Sequence, residues 1–234
     1  MNMSKIKKAV FTLNVDNYAP EITALTYPLL EAYAKKIGAD FRIISERKHP
    51  EFPSVYEKVQ IRELGEGNDW NIYIDSDALV HPDTFDITEH LHKDTVMHHG
   101  SDMAGNRWTY DRFFRRDGRH IGSGNWLAVA SDWCTPEFWA PLDDLTYEQA
   151  LQNIHPIQNE IKCGITASHL IDDYTMSRNI AKYGLKFTTF FEIMKKLNHN
   201  GEYFWHQYLV GTEEKVKQMN EVLVRWGLRE PEKI

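Results

Sequence analysis

One stretch of this chain, Trp70 to Val80, constrains it more than any other. A largely apolar run, Trp70-Asn71-Ile72-Tyr73-Ile74, stops at two aspartates with a single serine between them, Asp75-Ser76-Asp77. A short run of this kind, preceded by Gly65-Glu66-Gly67-Asn68-Asp69, reads as a buried strand entered through a turn. Such a strand delivers both carboxylates to the carboxyl edge of its sheet, where ligands sit in open α/β sheets. Two carboxylates that close repel each other unless a cation lies between them, and their oxygens suit a hard divalent ion, Mg²⁺ or Mn²⁺. Through that ion the edge can hold an anionic substrate such as a diphosphate. The competing reading is structural: the strand runs into an Asx-type turn, and Asp75 or Asp77 caps the next element.

The flanking sequence decides what sheet this strand belongs to. Ala9–Leu13 reads as a first strand, broken by the polar segment Asn14 to Pro20. Ile22, Leu25, Leu29, Tyr33 and Ile37 recur at helical spacing, so a helix is expected from Glu21 to Ile37 with Gly38 as its stop. Phe41–Ile44 is the next strand, and a right-handed crossover makes it a parallel neighbour of the first. A helix is expected from Ser54 to Leu64 with Val55, Val59 and Ile61 inward. Further strands are expected at Val96-Met97, in the run ending at Ala130, and at Phe187–Phe191. Helices are expected at Pro136–Leu142, Tyr147–Asn153, His169–Tyr183 and Thr212–Trp226, the last with Val216, Met219, Val222 and Leu223 on one side. The sum is an α/β fold with a mostly parallel central sheet flanked by helices. No repeat or linker divides the 234 residues, so 1–234 reads as one domain.

Charge and cysteines narrow the partners. A net charge of -7 opposes a nucleic-acid surface, which needs a basic face. The local cluster Arg112, Arg115, Arg116 and Arg119 reads as a solvated face. Cys134 and Cys163 lack metal-ligand spacing and read as two packing thiols in a reducing compartment. With no apolar stretch long enough for a signal or a membrane span, a soluble, cytoplasmic protein is expected.

At this point the motifs, in their order, resemble the GT-A-type nucleotide-sugar glycosyltransferases, in particular the glycogenin-like and galactomannan galactosyltransferase-like families. Asp75-Ser76-Asp77 is similar to their Asp-X-Asp motif, which holds Mn²⁺ and the donor diphosphate. Thr12, Leu13, Asn14, Asp16 and Tyr18 resemble the segment around the uracil and ribose, and Lys58 resembles a donor-binding lysine. Gly122-Ser123-Gly124-Asn125 stands where these families carry an Asn-X-Gly-type turn against the donor sugar. Asp172-Asp173 resembles their Asp-Gln segment, and His206, Gly211 and Lys215 resemble a late His-X-X-Gly-X-X-Lys motif. The chain departs from the pattern at three places. The glycine turn is reordered, no Gln follows either Asp172 or Asp173, and Gly211 and Lys215 lie five and nine positions after His206.

The resemblance implies a fold, a reaction and a ligand set. The fold is GT-A, and the donor is a UDP-sugar, UDP-glucose or UDP-galactose. The metal is Mn²⁺ (or Mg²⁺) on Asp75, Asp77 and His206. A hexose passes to a hydroxyl on a glycan, protein or small molecule, with retention of configuration, and Asp172 or Asp173 positions the sugar. A bacterial or viral source, or a domain of a longer chain, is the expected setting.

Each residue also has a plainer reading. His206 lies in the aromatic run Tyr203, Phe204, Trp205 and Tyr208, where a partly buried histidine would sit anyway. Lys58 is otherwise a helix-surface lysine, and Lys215, beside Glu213 and Glu214, a solvated helix charge. Tyr18, in its polar loop, suits stacking on a base. Trp108, Tyr110, Trp126 and Trp139 are divided between core and a flat surface for sugar rings. Asp102, Asp111 or Asp117 would serve as the base of an inverting enzyme.

Three other classes compete with the glycosyltransferase. A haloacid-dehalogenase-like phosphatase would use Asp75 as nucleophile beside Asp77, but its motif lies near the N-terminus and continues differently from Leu79. A nucleotidyltransferase would need a Gly-rich, Arg-containing loop at Asn14–Pro20, which is absent. A non-catalytic binding module with a vestigial site is the third.

Overall fold

The computed structural model describes residues 6–100 and 125–231, together with the strand residues 115–116 and 119–120. In chain order its strands are β1 (Lys8–Leu13), β2 (Asp40–Ile44), β3 (Trp70–Ile74), β4 (Leu79–Val80), β5 (Thr95–His98), β6 (Arg115–Arg116), β7 (Arg119–His120), β8 (Leu127–Ser131), β9 (Lys186–Thr189) and β10 (Phe204–Trp205). The longer helices are α1 (Pro20–Lys36), α2 (Ile171–Tyr183), α3 (Phe190–Leu197) and α4 (Thr212–Arg225).

The main sheet has the order β2-β1-β3-β8-β5-β9. β1 pairs in parallel with β2 and β3, and β5 with β9; β8 alone runs antiparallel, between β3 and β5. All five residues of β3 are buried, because helices cover both faces of the sheet. One apolar layer holds Phe11, Tyr73, Phe138, Trp139 and Met176; the other holds Leu30, Ile72, Ile74, Met97 and Phe190. The chain thus has the mostly parallel, helix-flanked α/β architecture expected from its strand pattern.

Three expectations need correction. Ser54–Gln60 is a 3-10 helix, with an α-helix only over Ile61–Leu64, and Tyr56 through Gln60 are all buried. Lys58 is therefore not a surface lysine. The run Phe187–Phe191 does not continue as a strand. Thr189 accepts a bond from the Glu192 amide in a capping box, so Phe190 and Phe191 open α3. Of the aromatic group divided between core and a sugar-facing surface, Trp139 is fully buried and Trp126 lines the cavity described below. Finally, Cys134 is buried but Cys163 is exposed, so only one of the two thiols packs. The arginine cluster is located in part, with Arg115, Arg116 and Arg119 in the antiparallel pair β6–β7. Arg112, Trp108 and Tyr110 lie outside the described residues, as do Asp102, Asp111 and Asp117.

The end of β5 carries two histidines with a consequence for stability. His98 is buried, stacked on Phe187, and His99 lies against Trp126. Burial lowers His98 to about 3 and His99 to about 4. The native state keeps both rings neutral, whereas an unfolded chain protonates each near about pH 6.5. In that window the unfolded state binds more protons, so stability falls as pH falls, by up to about 1.4 kcal/mol per pH unit per histidine. Denaturant melts at about pH 7 and about pH 5 should show this loss. His98→Leu should remove about half of the slope; an unchanged slope would reject the assignment.

Candidate active site

The acidic pair is presented by the end of β3 and the turn that follows. The Asp75 amide donates to the Trp126 carbonyl on β8's side, continuing the β3–β8 ladder by one bond (2.8 Å). The Ala78 amide then donates back to the Asp75 carbonyl (3.1 Å), and the Thr26 hydroxyl on α1 donates to the Ser76 carbonyl (2.6 Å). The turn is thereby fixed from two sides. β4 pairs antiparallel with β10, with Leu79 opposite Trp205. Because Asp77 precedes that pair and His206 follows it, the ladder itself sets the imidazole beside the carboxylate.

The outcome is a three-ligand cluster. His206 Nε2 is 3.2 Å from Asp77 Oδ1 and 3.8 Å from Asp75 Oδ2, and one ligand atom from each of Asp75, Asp77 and His206 lies within 4.8 Å of the others. Ligand atoms about 3 to 4 Å apart match an ion with bonds of about 2.1 Å. Each carboxylate turns one oxygen toward the imidazole and gives the other to the protein. Asp75 Oδ1 accepts from the Tyr73 hydroxyl (2.5 Å) and faces Lys58 Nζ (2.9 Å), while Asp77 Oδ2 accepts from Lys215 Nζ (2.5 Å). Two carboxylate oxygens and a nitrogen, each backed by a fixed partner, are a donor set that fits Mn²⁺. Trp126 stacks on His206 (4.8 Å between centroids, 25° between planes) and fixes the ring's orientation.

Lysines and a second acidic pair surround this cluster. Lys58 is 3% exposed; its ammonium lies 2.5 Å from Asp172 Oδ2 and over the Tyr73 ring, 4.6 Å from its centroid. Burial opposes the charge on Lys58, but Asp172 and Asp75 outweigh it and hold its pKa well above the ordinary lysine value. Asp172 and Asp173 occupy the first turn of α2, where the helix dipole favours negative charge. Burial nevertheless pushes both carboxyls up, Asp173 the further because Asp172 repels it; the Asn125 amide donates to Asp173 Oδ1 (2.6 Å). Asp77 shifts the other way. Burial would raise it, but His206 and Lys215 hold it below the usual carboxylate range.

Lys215 is 5% exposed, not solvated. It stands one turn before Met219 on the face of α4 that packs on Ile22 and Leu79, so its stem is buried with that face and its ammonium reaches Asp77.

These groups line a cavity of about 410 Å³. Of the residues expected to bind a donor, Leu13, Tyr18, Lys58, Asp75, Ser76 and Lys215 line it, as do Asp77, His206, Asp172 and Asp173. Burial, then Asp77 and Asp75, push the Tyr18 hydroxyl above the ordinary phenol value. Others of the expected set stand off. Thr12 is fully buried in β1 and Asn14 accepts from the Tyr18 amide, while exposed Asp16 pairs with Arg47. Gly122, Ser123 and Gly124 lie outside the described residues. Sequence reasoning missed Tyr73, whose place two residues before Asp75 puts it on the same side of the strand. It also missed the wall formed by Glu160, Ile165, His169 and Tyr208, for which no motif gives a signal.

The chain matches no family model and no curated protein. Its fold is similar to solved glycosyltransferases. One is a glycosyltransferase involved in the glycosylation of the major capsid of PBCV-1, with 11% identity, a TM-score of 0.50 and coverage of 92% of this chain and 98% of that one. Another is the galactosyltransferase LgtC in complex with donor and acceptor sugar analogs, with 12% identity, a TM-score of 0.53 and coverage of 91% and 95%. The likeness is one of fold: the chain adopts the GT-A arrangement of these enzymes. Among the described residues no helix is long and apolar enough to cross a membrane.

Proposed function

We propose that this protein is a metal-dependent glycosyltransferase that moves a hexose from a UDP-sugar to a hydroxyl acceptor. The observation that carries the reading is the Asp75–Asp77–His206 cluster at the carboxyl edge of the central sheet, inside a cavity of a size that suits a small ligand.

In this reading Asp75, Asp77 and His206 would hold Mn²⁺. When bound, the ion supplies Lewis-acid stabilisation of the negative charge on the leaving diphosphate. The rest falls to side chains. Tyr18, exposed on the loop above the cavity, offers its ring to the base. Lys215, in the first turn of α4, is the cation best placed to reach a phosphate oxygen, as among the described residues its ion pair is with Asp77 alone. Lys58, saturated by Asp75 and Asp172, acts from behind: it bridges the two carboxyl groups and fixes their positions. Asp173 lines the cavity and would position the donor sugar through its hydroxyls. Glu160 and Tyr208, which also line the cavity, would meet the acceptor.

A thermal-shift screen tests the reading. UDP, GDP and CMP sugars should be compared with and without Mn²⁺. The expected result is stabilisation that requires Mn²⁺ and is largest with a UDP-sugar; at a ligand concentration about 100-fold above Kd it amounts to about 2.7 kcal/mol. A phosphatase would be indifferent to the base, and a vestigial module would show no Mn²⁺-dependent shift.

A further inference from the structure

We infer that Lys215 is a built-in competitor for the metal, so that the cation and the donor diphosphate load together rather than independently. The inference rests on the proposed metal site and concerns how that site is regulated. It begins with the charges within direct contact. Asp75 and Asp77 carry two negative charges, and two ammonium groups already face them, Lys58 at 2.9 Å and Lys215 at 2.5 Å. A divalent ion entering this cluster meets carboxylates whose charge is already partly offset, Asp77's by Lys215 and Asp75's by Lys58, which it shares with Asp172, and it is repelled by both lysines.

The two lysines differ in their freedom to leave. Lys58 is pinned between Asp75 and Asp172 beneath the Tyr73 ring. Lys215 has Asp77 as its ion-pair partner, stands in the first turn of α4, and lines the cavity. Its ammonium is the one that can turn from Asp77 to a diphosphate oxygen in the same cavity. That exchange would do two things at once: free Asp77 Oδ2 from a competing cation, and give the diphosphate a positive partner. Metal and diphosphate each favour the state that the other needs, and such coupling is reciprocal by thermodynamic linkage. Tyr73 contrasts with Lys215. It holds the rear oxygen of Asp75 with a neutral hydroxyl, which orients the ligand without opposing the ion.

The test is Mn²⁺ binding by calorimetry, on the whole metal-stripped chain, with and without saturating UDP. The wild type should bind Mn²⁺ weakly alone and at least about tenfold more tightly with UDP, within the usual range of coupling. Lys215→Met should bind Mn²⁺ alone about tenfold more tightly than the wild type, and the gain from UDP should shrink. Lys215→Arg, which keeps the charge, should behave as the wild type. Because Lys215→Met leaves the half-buried Asp77 beside Asp75 without its lysine counter-ion, it should melt lower in EDTA and recover with Mn²⁺. That recovery keeps the experiment readable if the metal-free variant is unstable. Equal Mn²⁺ affinity in wild type and Lys215→Met, with unchanged UDP coupling, would overturn the inference and leave the metal site standing. Absence of Mn²⁺ binding in every protein, with and without UDP, would instead overturn the metal site and the inference with it.

Discussion

Asp77→Ala should abolish metal-dependent donor hydrolysis and transfer, lowering kcat/KM by at least about a thousandfold. Asp77 supplies the oxygen closest to His206, 3.2 Å from Nε2, and its other oxygen holds Lys215. Removing the carboxylate therefore takes away a metal ligand and strands a buried ammonium. Asp77→Asn separates the two effects. The amide keeps the volume and still accepts a bond from Lys215, so the fold should hold. The affinity for Mn²⁺ should nevertheless fall, because a neutral oxygen replaces a charged one. Steady-state kinetics with UDP-sugars, beside melting curves for each variant, reads both. An Asp77→Ala protein with full activity would sink the proposed site.

Lys58→Met should be the most destabilising single change at the site. Its ammonium is buried and satisfies both Asp75 and Asp172. Breaking a buried pair by removing one partner costs about 3–5 kcal/mol, because a charge is left uncompensated. For a chain of this size that is a fall of roughly 10 °C in the melting temperature. The double variant Lys58→Met/Asp172→Asn should recover much of the loss, since the second change removes the stranded charge; such partners are not additive. If Lys58→Met melts like the wild type and its effect adds to that of Asp172→Asn, Lys58 is not the common counter-ion described above.

The parts of the molecule legible in the sequence are those with a local signature. Trp70–Ile74 ends at an acidic pair, and a strand buried on both faces leaves little else for such a run to be. Ile22, Leu25 and Leu29 repeat at helical spacing because that stripe of α1 packs against α4, while Leu30 and Tyr33 face the other apolar layer. Lys58 was obscured by a helix assignment: a 3-10 turn buries consecutive residues, so the alternation that would mark an inward lysine is missing. Lys215 did carry a signal. It precedes Met219 by four residues and Val222 by seven, which places it on the inward face of α4, but two neighbouring glutamates made the segment look solvated. Phe190 and Phe191 read as strand because aromatic residues favour sheets; the capping box of Thr189 and Glu192 decides for a helix. The bond from Tyr73 to Asp75 follows from their spacing of two along one strand face, a signal that the acidic pair overshadows; the placing of Glu160 and Tyr208 on one cavity comes from tertiary packing, which no spacing in the chain encodes.

The central claim is that Asp75, Asp77 and His206 hold one divalent cation through which a nucleotide diphosphate binds. Anomalous diffraction at the manganese edge, from crystals grown with Mn²⁺ and UDP, tests it most directly. The account predicts a single peak about 2.1 to 2.3 Å from Asp75 Oδ2, Asp77 Oδ1 and His206 Nε2, with the diphosphate on its far side and Lys215 turned away from Asp77. Bound UDP with no manganese at these three residues would contradict it.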